Sequence, residues 1–192
     1  MHPFYIVLLG GITGFSSDLL IYWVGSSQDS LPLFLWFLPG ILLALVLIGL
    51  RGRTNWWRYA LALLLCAAGY PLGYLVGLGV GFGMTMLVGY ALAESFLWYV
   101  FVLVPAFIAA GAVGGALVAL AWSVLYQHWS IQVLRRSLWV GGLLALTVLL
   151  PSPVPFWSPF LTFWCPGMLL LANSWTRSLN NPARTQPQAQ SV

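Results

Sequence analysis

The sequence predicts an all-α fold: a polytopic integral membrane bundle of six transmembrane helices with both termini cytoplasmic. Three observations carry this expectation. Charged residues make up 5% of the 192-residue chain, against about 25% in soluble domains, so a soluble globule of this size would lack a solvated surface. Hydrophobic residues make up 61% of the chain and its mean hydropathy is +0.94, concentrated in runs near the roughly 20 residues needed to cross hydrocarbon. The basic residues fall on one side of those runs. Disorder is excluded by 16% aromatic content, and a disulfide scaffold by having only two cysteines.

Each span follows from its borders. The first covers about 4–24 and ends at the polar run GSSQDS; the second covers about 33–50 and ends at RGRTNWWR. The apolar stretch from 56 to 127 holds two spans or three, and charge decides the count. Basic residues beside membrane helices stay cytoplasmic. The seven cations are all arginine: Arg51, Arg53 and Arg58 in one loop, Arg135 and Arg136 in another, Arg177 and Arg184 in the tail. Two spans put all of them on one side, where three would divide them. The third span is therefore about 57–78 and the fourth about 97–125. The apolar segment 79–96 between them reads as interfacial or re-entrant on the outer face. A short fifth span at about 134–150 reaches back toward Ile131 only if Arg135 and Arg136 snorkel to the interface. The sixth covers about 156–175. The transmembrane domain thus occupies 1–176, with 177–192 expected as a disordered cytoplasmic tail. The first helix lacks a basic n-region and a cleavage site, so it is expected to be retained. A bacterial-type plasma (inner) membrane is the expected location.

Small residues form ridges. Gly69, Gly73, Gly77 and Gly81 recur every fourth position, as do Ala106, Ala110 and Gly114, while Gly111 and Gly115 make a GxxxG pair. Residues four apart share a helix face, and small ones let backbones approach where lipid gives no hydrophobic drive for association. Packing within the bundle is the expected use, and a homo- or hetero-oligomer interface the sharper one. Gly10, Gly14, Asp18 and Tyr22 form another such row on the first helix. A carboxylate at the depth of Asp18 costs at least about 2.5–3.5 kcal/mol on insertion scales unless it is paired or neutralised. Asp18 is therefore a candidate ion or polar-solute contact, or a carboxyl hydrogen-bonded to a neighbouring helix. Glu94, at the outer mouth of the fourth span, joins it as a candidate contact, or serves only as a helix N-terminal charge. Eleven tryptophans, most near span ends, read as an aromatic belt. Pro39-Gly40, Pro71, Pro105 and Pro166-Gly167 read as kinks inside spans. Arg51, Arg53, Arg58, Arg135 and Arg136 anchor the topology and can meet anionic lipid headgroups.

Catalytic constellations are missing from the sequence. It has no lysine for a Schiff base, no H-E-x-x-H, no G-x-S-x-G and no pair of intramembrane aspartates. Cys66 and Cys165 lie at mid-membrane depth without histidine, so neither a metal site nor a cofactor is expected. The partner expected throughout is the lipid bilayer, with no nucleic acid. The leading expectation is a non-enzymatic membrane subunit or accessory protein packed through its Gly/Ala ridges. The alternative is a small transporter or channel for a cation, proton or small polar solute, with Asp18 and Glu94 lining the path.

Overall fold

The structure, a computed structural model, describes residues 3–27, 36–51, 54–88, 96–149 and 160–180. Among them the chain is all-α, with six helices. These are α1 (Pro3–Ser27), α2 (Leu38–Arg51), α3 (Trp56–Val88), α4 (Val104–Tyr126), α5 (Ile131–Ala145) and α6 (Phe160–Asn180). A helical turn at Phe96–Trp98 and a π-helical turn at Tyr99–Leu103 lead into α4, and a 3₁₀ turn at Leu146–Leu149 ends α5. Among the described residues, four stretches are long and apolar enough to cross a membrane: Pro3–Leu20, Trp56–Val88, Val100–Tyr126 and Ile131–Leu149. The apolar helix α2 is shorter, at 14 residues.

The faces of α1 show what solvent the bundle is built for. Phe4, Leu8, Ile12, Phe15 and Leu19 are exposed, whereas Gly10, Thr13, Gly14, Ser17 and Asp18 are buried. Large apolar side chains outside and small or polar ones inside invert the pattern of a water-soluble helix. Hydroxyls on this inner face are satisfied locally. Ser17 Oγ donates to the Thr13 carbonyl and Thr13 Oγ1 to the Leu9 carbonyl, both at 2.8 Å. Such back-bonding leaves no stray donor where water is absent.

Helix boundaries differ from the sequence expectation at four places. First, α3 runs unbroken for 33 residues to Val88, so 79–88 continue the third helix past its expected end at 78; 89–95 lie outside the described residues. The glycines at 77 and 81 continue the same face that packs on α4, and that contact holds the helix together past the expected end. Second, Pro39 sits in the first turn of α2, where a missing N–H costs nothing, and not within a kinked span. Third, α5 starts at Ile131, with Arg135 and Arg136 exposed on it. Fourth, α6 continues through 177–180, part of the stretch read as tail. Thr176 Oγ1 bonds back to the Ala172 carbonyl at 3.0 Å and accepts the indole N–H of Trp122 at 3.2 Å, which anchors that last turn. The remaining expected tail, 181–192, lies outside the described residues.

Pro105 explains the π-helical turn. Its ring has no N–H to give the carbonyl four residues back, Phe101, which sits inside the widened segment Tyr99–Leu103. At the other end of α4, Gln127 closes the helix in the left-handed conformation (φ 55°), and His128 N–H donates to the Ser123 carbonyl at 3.2 Å. Residues 127–130 then turn the chain straight into α5.

Backbone proximity defines the packing. The most extensive contacts are α3 with α4, α4 with α5, and α1 with α6. A Cβ on Gly73 would stand 2.7 Å from the Ala110 carbonyl oxygen, and one on Gly77 would stand 3.1 Å from that of Ala106. Gly111 and Gly115 press on the carbonyls of Gly141 and Ser137 in α5, Gly14 on that of Leu161 in α6, and Gly40 on that of Cys66 in α3. Gly79 and Gly83 meet nothing within 4 Å.

These contacts give a paired expectation. Gly73→Leu with Gly77→Leu should lower thermal stability through overpacking, by about 1–3 kcal/mol per site. Gly79→Leu with Gly83→Leu should leave the melting temperature unchanged or raised. Equal melting curves for the two double variants in the same detergent would refute the α3–α4 contact.

Candidate functional site

The described arginines lie toward one end of the bundle. Arg51 Nε donates to the Leu125 carbonyl at 3.1 Å, and its guanidinium lies 5.0 Å from the centroid of the Tyr126 ring. The end of α2 is thereby tied to the end of α4. The Arg58 guanidinium lies 5.1 Å from the Trp57 ring, and Tyr59 Oη accepts the Thr54 N–H at 2.8 Å. Trp122, 1% exposed, stacks on Tyr126 at 5.0 Å and meets Trp175 edge-on at 5.4 Å. This aromatic plug closes the arginine-bearing end. Arg135 and Arg136 stand exposed near the start of α5, and Arg53 lies outside the described residues.

Asp18 points the other way along α1 and finds a partner on α6. The Thr162 backbone N–H donates to Asp18 Oδ2 at 3.1 Å and the Thr162 hydroxyl to the same oxygen at 2.9 Å. Thr162 is in the first turn of α6, where backbone N–H groups have no intrahelical acceptor. Asp18 thus caps a helix 144 residues away in sequence. The positive end of the α6 dipole compensates its negative charge. The contact is possible because Gly14, one turn earlier, lets the α1 backbone lie directly on Leu161 and Thr162. Glu94 lies outside the described residues.

Next to this cap is a cavity of about 670 Å³ whose lining draws on all six helices. Its floor is the α3 row Gly69, Gly73, Gly77 and Gly81, met by Ala106, Ala110, Gly111 and Gly114 on the α4 side. Of the packing-ridge residues named from sequence, only Gly115 does not line it. The contacts explain why an opening exists beside a tight crossing. The Cβ positions of Gly73 and Gly77 are crowded, while a Cβ on Gly69 would meet only Leu117 at 3.9 Å and Gly114 at 4.0 Å, and one on Gly81 only Ala106 at 3.5 Å. The helices touch at the centre of the row and part at its ends.

Polar groups on the lining are few. Asp18 is its one carboxylate among the described residues, joined by Tyr70, Tyr74, Thr85, Trp98, Trp164, Cys66 and Cys165. The Trp164 indole donates its N–H to the Gly141 carbonyl at 3.2 Å and lays its ring edge on Gly114, so the wall there is apolar carbon. Tyr70 and Tyr74 pack with Trp36, whose ring lies 6.1 Å from the first and 4.6 Å from the second. Among the described residues, no three of histidine, cysteine, aspartate and glutamate come together to hold a metal.

Sequence reasoning placed Asp18 and the glycine row, and read the deep Trp164 as a packing or cavity-lining residue, but missed Thr162 and the tyrosine pair. Tyr70 and Tyr74 were findable: each follows a ridge glycine directly, so the two share a neighbouring stripe of the same helix. Thr162 carries no such signal.

The cap yields a coupling that can be measured. Asp18→Ala should destabilise the bundle by about 0.5–2 kcal/mol, the ordinary cost of losing a helix cap, and Asp18→Asn by less, since an amide oxygen still accepts. Because both bonds run between the same two residues, Asp18→Ala and Thr162→Val should be clearly non-additive in a double-mutant cycle of melting curves. Strict additivity would show that the bond contributes nothing. No protein-family model, curated protein or solved structure matches the chain, so its function is read from this cavity and its lining.

Proposed function

We propose that the chain is a non-enzymatic six-span protein of the plasma (inner) membrane, with both termini cytoplasmic, whose central cavity binds a small molecule with an apolar body. It would act as a capture or accessory subunit rather than as an ion path. The cavity carries this reading. Its volume of about 670 Å³ falls within the roughly 300–1,000 Å³ typical of small-molecule sites, and its lining is mostly apolar with a few convergent polar groups, as such sites are. A bare ion would face glycine, leucine and phenylalanine over most of that wall and would not recover its hydration there. The lining also offers no histidine, lysine or arginine among the described residues, which favours binding over catalysis. The Gly/Ala ridges face other helices of this chain, so they are engaged before any partner arrives.

Two experiments test the reading. An aliphatic diazirine photoprobe, with the protein in lipid nanodiscs, should label Trp164 and Cys165, which are 8% and 1% exposed and shielded from lipid. Gly69→Leu, at a lining position where a Cβ meets nothing closer than 3.9 Å, should cut that labelling about tenfold at unchanged melting temperature. Labelling confined to lipid-facing residues would reject the site. Topology is tested with single cysteines in a chain whose native thiols are replaced by alanine. Leu87 stands 31 residues beyond Trp56, a rise of about 46 Å, well past the hydrocarbon core from the arginine end. Leu87→Cys should react with an impermeant thiol reagent in intact cells, and Trp129→Cys only after permeabilisation. The reverse pattern would overturn the orientation.

A further inference from the structure

Asp18 and Tyr70 share a depth, and Tyr74 lies one helical turn farther along α3. Asp18 lies 15 residues along α1 from Pro3, and Tyr70 lies 14 along α3 from Trp56, rises of about 22 and 21 Å from helix ends on the arginine-bearing side. Both line the cavity. The apolar space therefore has one polar pole, made of a carboxylate and two phenol rings backed by Trp36.

The donors at that pole carry no charge. Among the described residues the carboxylate takes the Thr162 N–H and hydroxyl on Oδ2 and the Leu161 backbone N–H, all neutral groups on a carboxylate with about four lone-pair sites. No arginine, lysine or histidine stands on the described lining to pair with it. A carboxylate at this depth is costly unless a cation or donors compensate it. Aromatic rings beside it suit a cation as well, since their faces attract positive charge within about 6 Å of the centroid. An anionic amphiphile would meet like charge at this pole, and a neutral one would gain one hydrogen bond.

We propose that the ligand of this cavity is a lipophilic amine, its apolar body lying along the Gly69–Gly81 floor and its ammonium between Asp18 and the rings of Tyr70 and Tyr74. The assignment rests on the binding reading above and names the class of molecule bound. It needs no transport step and no other protein.

The test uses the full chain in neutral phosphatidylcholine nanodiscs, with empty nanodiscs as the blank for partitioning. Phenylbutylamine, phenylbutanol and phenylbutyrate, alike in body and different in head group, compete with the diazirine probe for labelling of Trp164 and Cys165. The amine should compete at a concentration about tenfold or more below that of the alcohol, and the acid should compete least. Asp18→Asn should erase the amine's advantage while the alcohol competes as before. Thr162→Val, which keeps the carboxylate, should preserve the advantage. Tyr74→Leu, at a half-exposed position, should reduce it about threefold, and it keeps the assignment testable should Asp18→Asn fail to fold. Equal competition by all three compounds in the unmutated protein would overturn the amine assignment and leave the cavity reading standing. Labelling of Trp164 and Cys165 that none of the three displaces would also overturn it. Absence of labelling there would instead overturn the cavity reading itself.

Discussion

In hydrocarbon a leucine gains nothing by leaving the surface, so helices in a bilayer must be held by something other than apolar burial. What this chain uses is backbone set against backbone, and the rest of the structure depends on it. Gly73 and Gly77 do this between α3 and α4, Gly111 and Gly115 between α4 and α5, Gly14 between α1 and α6, and Gly40 between α2 and α3. At each crossing a missing Cβ lets one helix approach a carbonyl of the next. Dispersion between close atoms then replaces the hydrophobic effect as the source of cohesion. The pattern also accounts for composition: 20 glycines would weaken a soluble helical protein, whose helices each lose stability to glycine. Here several of them form the contact surfaces.

Close approach has an electrostatic consequence. Once Gly14 seats α1 on the start of α6, the first-turn amides of α6 lie beside whatever residue follows one turn later on α1. That residue is Asp18. In water those amides would bond solvent; inside a bilayer each unsatisfied one costs several kcal/mol. A carboxylate that would be expensive alone and amides that would be expensive alone compensate each other. The acid, the helix start and the glycine beneath them form one unit, in which each half offsets the desolvation cost of the other.

The parts of this arrangement legible in the sequence are those that depend on spacing along one helix. Ridges at every fourth residue mark the inner face of α3 and α4, and the same rule puts Gly10, Gly14 and Asp18 on one row. Spacing does not say which helix meets which row. Gly141 and Thr162 are ordinary residues in sequence, and only the fold makes one the floor under Gly111 and the other the partner of Asp18. Span ends were legible where charge sits at the helix end, as at Arg51, whereas Arg135 and Arg136 lie inside a helix that begins four residues earlier, at Ile131. Span ends were misread where hydropathy alone had to serve. The segment 79–88 is apolar and rich in glycine, which in a soluble protein signals a break, yet Gly77 and Gly81 sit on the packing face and the helix continues. Pro39 reads as a kink because its neighbours are apolar on both sides, but a helix start inside an apolar run leaves no polar marker.

The cavity and the tightest crossing are products of the same four glycines. Along α3, removal of side chains at 69, 73, 77 and 81 leaves a trough, and α4 fills it only where its own Ala106 and Ala110 carbonyls come within reach. Straight helices that cross at an angle touch at one place and diverge from it, so a uniform trough must be sealed in its middle and open toward its ends. The π-helical turn at Tyr99–Leu103 adds to the opening, because it widens the α4 entry where Trp98, Val102 and Leu103 face the space. Side chains from α1, α2 and α6 then complete the wall, and the single carboxylate they bring is already oriented by its bonds to α6. A void of this kind is costly in a packed protein, since its lining forfeits dispersion contacts on one side. In this bundle it adjoins the contacts that hold α3 to α4. A larger residue at Gly69 would fill it, while one at Gly73 would break the crossing. The sequence keeps glycine at both, and the two positions serve opposite ends: one preserves contact, the other preserves room.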